Sequence, residues 1–335
     1  MKKKLHSSRF YVLILLGLII GGVAWAKVQS ERARAIPPGH QELTLKADSL
    51  ERSYLLHVPP TYEKTKPLPL VIMLHGMGGT ALHSQRETGW SSKADAEGFI
   101  VVYPDATRPD RAQPPSLRKN PQAWNDGSGR FHAAERNIDD VAFISALIDS
   151  LESSYSIDSR RIYVTGFSNG ASMTFRLGAE LADRVAAIAP HSGTCWSDSV
   201  SPARGVSVCY LTGTSDTLNP IEGGFPKLAM GGKDQGGRSK PPVTIMIAKW
   251  AKVLECADEP TMEEKAPGVR TSRYGRGRND AEVVCITIDG LGHHWAGGKS
   301  QAPEFLVGKN SNKLIATDVI WDFFSSHPAS SQPER

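Results

Sequence analysis

Six short apolar runs, each closing on a polar or glycine-containing turn, constrain the fold of this chain more than any other feature: LPLVIMLHG, FIVVYPDA, RIYVTGFSNG, RVAAIAPHSG, VSVCYLTGTSD and AEVVCITIDG. Their β-branched and aromatic content reads as strand. They are nearly continuous in apolar character rather than alternating, as in strands buried on both faces of a parallel sheet. Helical patterns lie between them. Val141, Ile144, Ile148 and Leu151 recur at helical spacing, with Asp139 and Asp140 at the N-terminal end, where the helix dipole favours negative charge. KLIATDVIWDFFSSH near the end is a second amphipathic candidate, and the earlier runs QELTL and RSYLLHV suggest an antiparallel entry hairpin. The expectation is one α/β domain with a mainly parallel, doubly wound sheet and flanking helices.

In such sheets chemistry sits beyond the C-terminal ends of the strands. Two long stretches rich in proline, glycine and charge follow predicted strands, Ala106 to Asn137 and Asn219 to Pro242, and are expected to wall a site. In RIYVTGFSNGASM, Gly166, Ser168 and Gly170 form G-x-S-x-G, entered by an apolar strand and left by a helical pattern through Met173, Leu177 and Leu181. That setting predicts a nucleophile elbow, a sharp turn that presents the Ser168 hydroxyl.

A serine hydroxyl becomes a nucleophile when a base takes its proton and an acid orients the base. Elbow enzymes place these groups in the chain order serine, acid, histidine. Asp216 follows the VSVCYL run, and His293 and His294 follow AEVVCITI. Asp105 precedes Ser168, Asp139 and Asp140 start a helix, and Asp289 lies too close to the histidines, so Asp216 is the expected acid. The oxyanion is expected to be held by the backbone N–H groups of Asn169 and of Met77 in LHGMGG. Side-chain identity should matter little at backbone donors. His75 is expected to be buried and bonded within its own loop.

The N-terminal segment bears on location. Lys2, Lys3 and Lys4 precede the apolar run FYVLILLGLIIGGVAWA, which ends in Ala24-Trp25-Ala26, the pattern of a cleaved export signal. The alternative is an uncleaved anchor, since the run is just long enough to span a bilayer. Either way the domain is expected outside the cytoplasm; with the signal cleaved, the protein is expected to be secreted or periplasmic with no stable membrane association. The expected organisation is a signal peptide at 1–26, a linker at 27–39, a catalytic domain at 40–328 and a tail at 329–335. A formal net charge of +4, partly from the leading lysines, argues against a nucleic-acid partner. Cys195, Cys209, Cys256 and Cys285 permit two disulfides in an oxidising compartment, in any of three pairings. Because Cys209 and Cys285 sit in strand-like runs, buried free thiols are the alternative. The cysteine spacing matches no zinc motif, and no metal or cofactor is expected.

Together LHGMGG, VVYPDATRP followed by WNDG, NIDDVAF, RIYVTGFSNGASMTFRLGAELADRVAAIAP, GTSDTLNP and IDGLGHHWAGG make the chain resemble the secreted α/β-hydrolase esterases grouped with single-domain polyhydroxybutyrate depolymerases and feruloyl esterases. The resemblance implies an α/β-hydrolase fold and a serine esterase acting through an acyl-enzyme on hydroxyalkanoate oligomers or on feruloyl, acetyl or other short-acyl esters. The family's last motif, G-x-G-H-x-W-P-G, lays onto residues 290 to 297 and makes His293 the base. It leaves His294 as a rim residue and Trp295 as a wall of the site. Ala296 replaces the family's usual proline, a change expected to loosen the loop. Cys256 matches a family position, but its usual partner, around Arg273 to Arg276, is missing. Polymer-degrading members often add a binding domain; this chain ends at Arg335, so soluble esters or oligomers are the expected substrates. Trp124 and Asn125, in the first long loop, are candidates for contacting substrate, or else pack within the loop. Peptide cleavage, acyl transfer and a catalytically silent binding role on the same fold are the alternative readings. The oligomeric state is left open.

Overall fold

The structure, a computed structural model, describes residues 39–47, 49–226, 238–300 and 302–330. The expected signal peptide, nearly all of the linker, the end of the tail and part of the second long loop lie outside the described residues.

All six apolar runs are strands. β1 (His40–Ala47) and β2 (Leu50–His57) form the antiparallel entry hairpin. They are followed by β3 (Leu68–Leu74), β4 (Ile100–Pro104), β5 (Ile157–Phe167), β6 (Ala187–His191), β7 (Ser207–Gly213), β8 (Met262–Ala266), β9 (Val269–Arg276) and β10 (Glu282–Ile288). The sheet order is β1-β2-β4-β3-β5-β6-β7-β10-β9-β8. The block β4-β3-β5-β6-β7-β10 is parallel, and antiparallel pairs close it at both ends. Leu70 to Leu74 in β3 and Ile100 to Tyr103 in β4 are fully buried, as strands covered on both faces must be.

Among the described residues the α-helices are α1 (Ala81–Thr88), α2 (Trp90–Glu97), α3 (Phe131–Glu135), α4 (Asp140–Ser154), α5 (Asn169–Glu180), α6 (Val243–Val253), α7 (Glu304–Val307) and α8 (Ala316–Ser326). Asp139 caps α4 by accepting the Ala142 N–H at 2.8 Å. The face of α4 carrying Phe143, Ile144, Leu147, Ile148 and Leu151 enters the core. Two features were not anticipated. α1 and α2 are short, weakly amphipathic and separated by Gly89 in the left-handed region. β8 and β9 carry Glu263, Glu264, Lys265, Arg270 and Arg273 instead of an apolar stripe, a composition that protects an exposed sheet edge from pairing with another chain.

Arg52 of β2 and Asp140 of α4 form an ion pair at 2.7 Å, with both side chains almost fully buried. The same carboxylate accepts the Asn125 N–H at 2.7 Å, and the guanidinium lies 4.0 Å over the Phe143 ring. Removing one partner of a buried pair strands the other charge away from water. Asp140→Ala should therefore lower unfolding free energy by about 3–5 kcal/mol, measured by urea denaturation. A loss below about 1 kcal/mol, the range of a surface pair, would contradict this assignment.

The four cysteines are free thiols. Cys209 pairs in register with Val284, and Cys285 with Tyr210, so the two side chains are offset by one residue and point to opposite sheet faces. Burial pushes both thiols well above their ordinary range.

Candidate active site

β5 delivers Ser168 onto the start of α5 with φ 57° and ψ −116°, a conformation that costs a non-glycine residue about 1–3 kcal/mol. The flanking glycines are demanded by crowding. A Cβ at Gly166 would lie 2.5 Å from the Gly170 carbonyl oxygen, and one at Gly170 would lie 2.3 Å from that of Leu74. The turn is therefore the sharp elbow that the motif predicts.

The turn after β7 carries Asp216, and the loop after β10 carries His293. The His293 Nδ1–H donates to Asp216 Oδ2 at 2.8 Å, which leaves Nε2 to accept from the Ser168 hydroxyl at 2.8 Å. The other Asp216 oxygen accepts the N–H groups of Leu218 (2.9 Å) and Asn219 (2.7 Å). Burial works to raise the pKa of this carboxyl. The charge and hydrogen bond of His293, together with the two amides, outweigh burial and hold it below the usual aspartate value. The rival acids are occupied elsewhere: Asp105 accepts from the Ala81 amide and the Ser53 hydroxyl, Asp139 caps α4, and Asp140 pairs with Arg52.

Ser168 and His293 open onto a cavity of about 450 Å³, a size that takes a small organic ligand. Met77, Asn169 and Trp295 also line it. Among the described residues neither the Met77 nor the Asn169 N–H donates a hydrogen bond, so both amides are available to a ligand oxygen. Both long loops reach the cavity, the first through Leu117, Arg130 and Phe131, the second through Pro226 and Lys240, with Leu218 just before it.

Several expectations need correction. Trp124 and Asn125 do not line the cavity. Trp124 is fully buried, and its indole N–H donates to the His75 carbonyl at 2.9 Å; the Asn125 amide donates to Ile138 and its carbonyl accepts from Arg176. They brace the loops around the elbow, a packing role. His294 is buried rather than at the rim, with Nε2 bonded to the Gly308 carbonyl at 2.8 Å. The side chain of Asn169 also matters: its Oδ1 accepts the Trp124 N–H (2.8 Å) while its Nδ2 donates to Asp126 (2.8 Å), which stitches the first long loop to the elbow. His75 behaves as expected, donating from Nδ1 to Gly76 and accepting the Ala106 amide at Nε2.

His191, at the end of β6, went unanticipated. It stacks on Trp295 with ring centroids 5.1 Å apart, and its Nε2 accepts the Ala296 N–H at 3.3 Å. A proline at 296 would lack that N–H, so alanine here gains a tether for the histidine loop instead of loosening it. Complete burial drives the His191 pKa down to about 3 from 6.5. The unfolded chain therefore binds a proton below pH 6.5 that the folded protein refuses, and stability falls as pH drops from there toward about 3. His191→Gln, which keeps an acceptor, should flatten the fall in melting temperature across that window; an unchanged slope would exclude His191 as its source.

Comparison with known proteins places these features in context. The family described as Esterase PHB depolymerase matches residues 52–226. NocK of Nocardia uniformis subsp. tsuyamanensis is 31% identical over 289 residues, covering 81% of this chain and 78% of that protein. Feruloyl esterase B of Piromyces equi is 32% identical over 260 residues, covering 74% of this chain but only 44% of its own length. Among solved structures, acetyl xylan esterase from Aspergillus awamori superposes with a TM-score of 0.54 at 18% identity, covering 76% of this chain and 94% of that one; at that identity the likeness speaks for the fold alone.

Proposed function

The chain belongs to the Esterase PHB depolymerase family, as a carboxylic ester hydrolase on an α/β-hydrolase fold, and from that premise we propose that Ser168, His293 and Asp216 are its catalytic triad. The observation that carries the reading is the unbroken hydrogen-bonded chain from Asp216 through His293 to Ser168 at the wall of a cavity with two unengaged amides.

Ser168 Oγ attacks the ester carbonyl carbon as His293 Nε2 takes its proton. Asp216 keeps the imidazole proton on Nδ1 and stabilises the imidazolium that forms. The N–H groups of Met77 and Asn169, the latter at the start of α5, receive the negative charge developing on the carbonyl oxygen. Collapse expels the alcohol with the proton from His293. Water, activated by the same base, then releases the acid and restores Ser168. Substrates are small or oligomeric esters, namely hydroxyalkanoate oligomers and feruloyl, acetyl or other short-acyl esters. Export to the periplasm or the medium is part of the proposal and rests on the sequence of residues 1–26. Among the described residues no helix is long and apolar enough to cross a membrane.

A panel of p-nitrophenyl short-chain esters, methyl ferulate and hydroxybutyrate oligomers tests the reading. Turnover of at least one is expected, and the ranking of kcat/KM names the acyl class. Inactivity on all of them, with cleavage of a peptide substrate instead, would move the assignment to a peptidase of the same fold.

A further inference from the structure

Two cations line the cavity on the side built by the long loops, and among the described residues neither has a carboxylate in good hydrogen-bonding geometry. Arg130 is largely buried, and its nearest acid is Asp126, 3.5 Å from Nη2. That carboxylate is already engaged by the Asn169 amide at 2.8 Å and the Ser128 N–H at 3.0 Å. The Arg130 guanidinium lies 4.7 Å over the Trp196 ring, which holds the plane in place without using its N–H donors. Its Nε is buried with no partner among the described residues. The Lys240 ammonium donates to two uncharged oxygens, the Leu218 carbonyl and Asn219 Oδ1, both at 2.8 Å. An ammonium has three donors, so one is left uncommitted among the described residues. Burial and the neighbouring Arg130 charge pull the Lys240 pKa down to about 8. The acid on the cavity wall, Glu87, is taken by His83 at 3.1 Å.

Two cations kept close together out of water, with donors to spare, form an arrangement that an anion would relieve. The rest of that wall is apolar through Leu117, Phe131 and Leu218, so the complementary molecule has an apolar body and a charged end. We propose that Arg130 and Lys240 recognise a carboxylate carried by the substrate, so that carboxylate-terminated esters are preferred: half-esters of dicarboxylic acids, or free-acid oligomers of hydroxy acids. This deepens the esterase reading and rests on it for the word substrate, while the anion site itself can be tested apart from turnover.

The binding experiment uses the Ser168→Ala protein, titrated calorimetrically with the free-acid dimer of 3-hydroxybutyrate and with its methyl ester. The acid should bind at least about tenfold more tightly. The preference should disappear with Arg130→Gln added, survive in part with Arg130→Lys, and shrink in high salt. In protein with Ser168 intact, kcat/KM ratios are compared for two matched pairs: that dimer and its methyl ester, with the charge on the alcohol side, and p-nitrophenyl hemisuccinate and p-nitrophenyl butyrate, with the charge on the acyl side. The pair whose ratio collapses in Arg130→Gln shows which half of the ester reaches the cations. Equal or weaker binding of the acid overturns the carboxylate site, and hydrolysis of the neutral esters would leave the esterase reading standing. An Arg130-dependent preference for the acid in a protein that cleaves no ester would do the reverse, keeping the anion site and removing the esterase reading.

Discussion

Replacing Ser168 with alanine should lower kcat for ester hydrolysis by at least about 10⁴-fold while leaving the fold intact. The magnitude follows from how a triad works: nucleophile and base act as a unit, so losing either removes covalent catalysis altogether. What remains is the contribution of the oxyanion donors and of binding. Little else should change. Among the described residues the Ser168 hydroxyl is bonded only to His293, and the elbow is held by other contacts, including the Ser168 N–H to the His191 carbonyl at 3.0 Å. Steady-state kinetics with thermal denaturation alongside check both halves. A mutant that keeps more than a tenth of the rate would require a different nucleophile.

Asp216→Asn is the second large effect, with kcat expected to fall by about 10⁴-fold. Asparagine keeps an oxygen for the Leu218 and Asn219 amides, so the turn survives. Its amide end meets His293 Nδ1 with a donor where an acceptor stood. The imidazole then answers by carrying its proton on Nε2, which can no longer accept from Ser168. The defect is one of proton placement, so KM should move far less than kcat. The pH behaviour follows from the same contacts. The folded Asp216 carboxyl titrates below its ordinary value of 3.8, so its contribution to stability is present above that value and lost as pH falls through the lower folded one. The carboxylate is thus ionised from about pH 5 to about pH 9, and Asp216 itself adds no titration to the wild-type pH–rate profile in that range.

What could be read from the sequence, and what could not, divides along physical lines. The parallel block was legible because strands buried on both faces carry an unbroken apolar signature, as in Leu70 to Leu74. β8 and β9 were not, since an exposed edge pair has no apolar stripe; the Pro267-Gly268 turn joining them was the available signal. α1 and α2 bury too few side chains in too few turns to show a period. In the site, Ser168, Asp216 and the histidine loop were legible because each directly follows a strand. The supporting contacts were not, because they join distant segments. Asn169 is fastened to Trp124, 45 residues away, and the His191 tether depends on Ala296, 105 residues away. Lys240 and Arg130 lie in loops with no periodicity, where one basic residue looks like another until burial singles it out.

The central claim is that Ser168 is a nucleophile activated by His293. Treatment with a fluorophosphonate probe, followed by proteolysis and mass spectrometry, tests it most directly, because the probe reacts covalently with an activated serine. The account predicts a single adduct on the peptide containing Ser168, absent in Ser168→Ala and formed far more slowly in His293→Ala. An adduct on another serine, or no adduct in protein that hydrolyses esters, would contradict it.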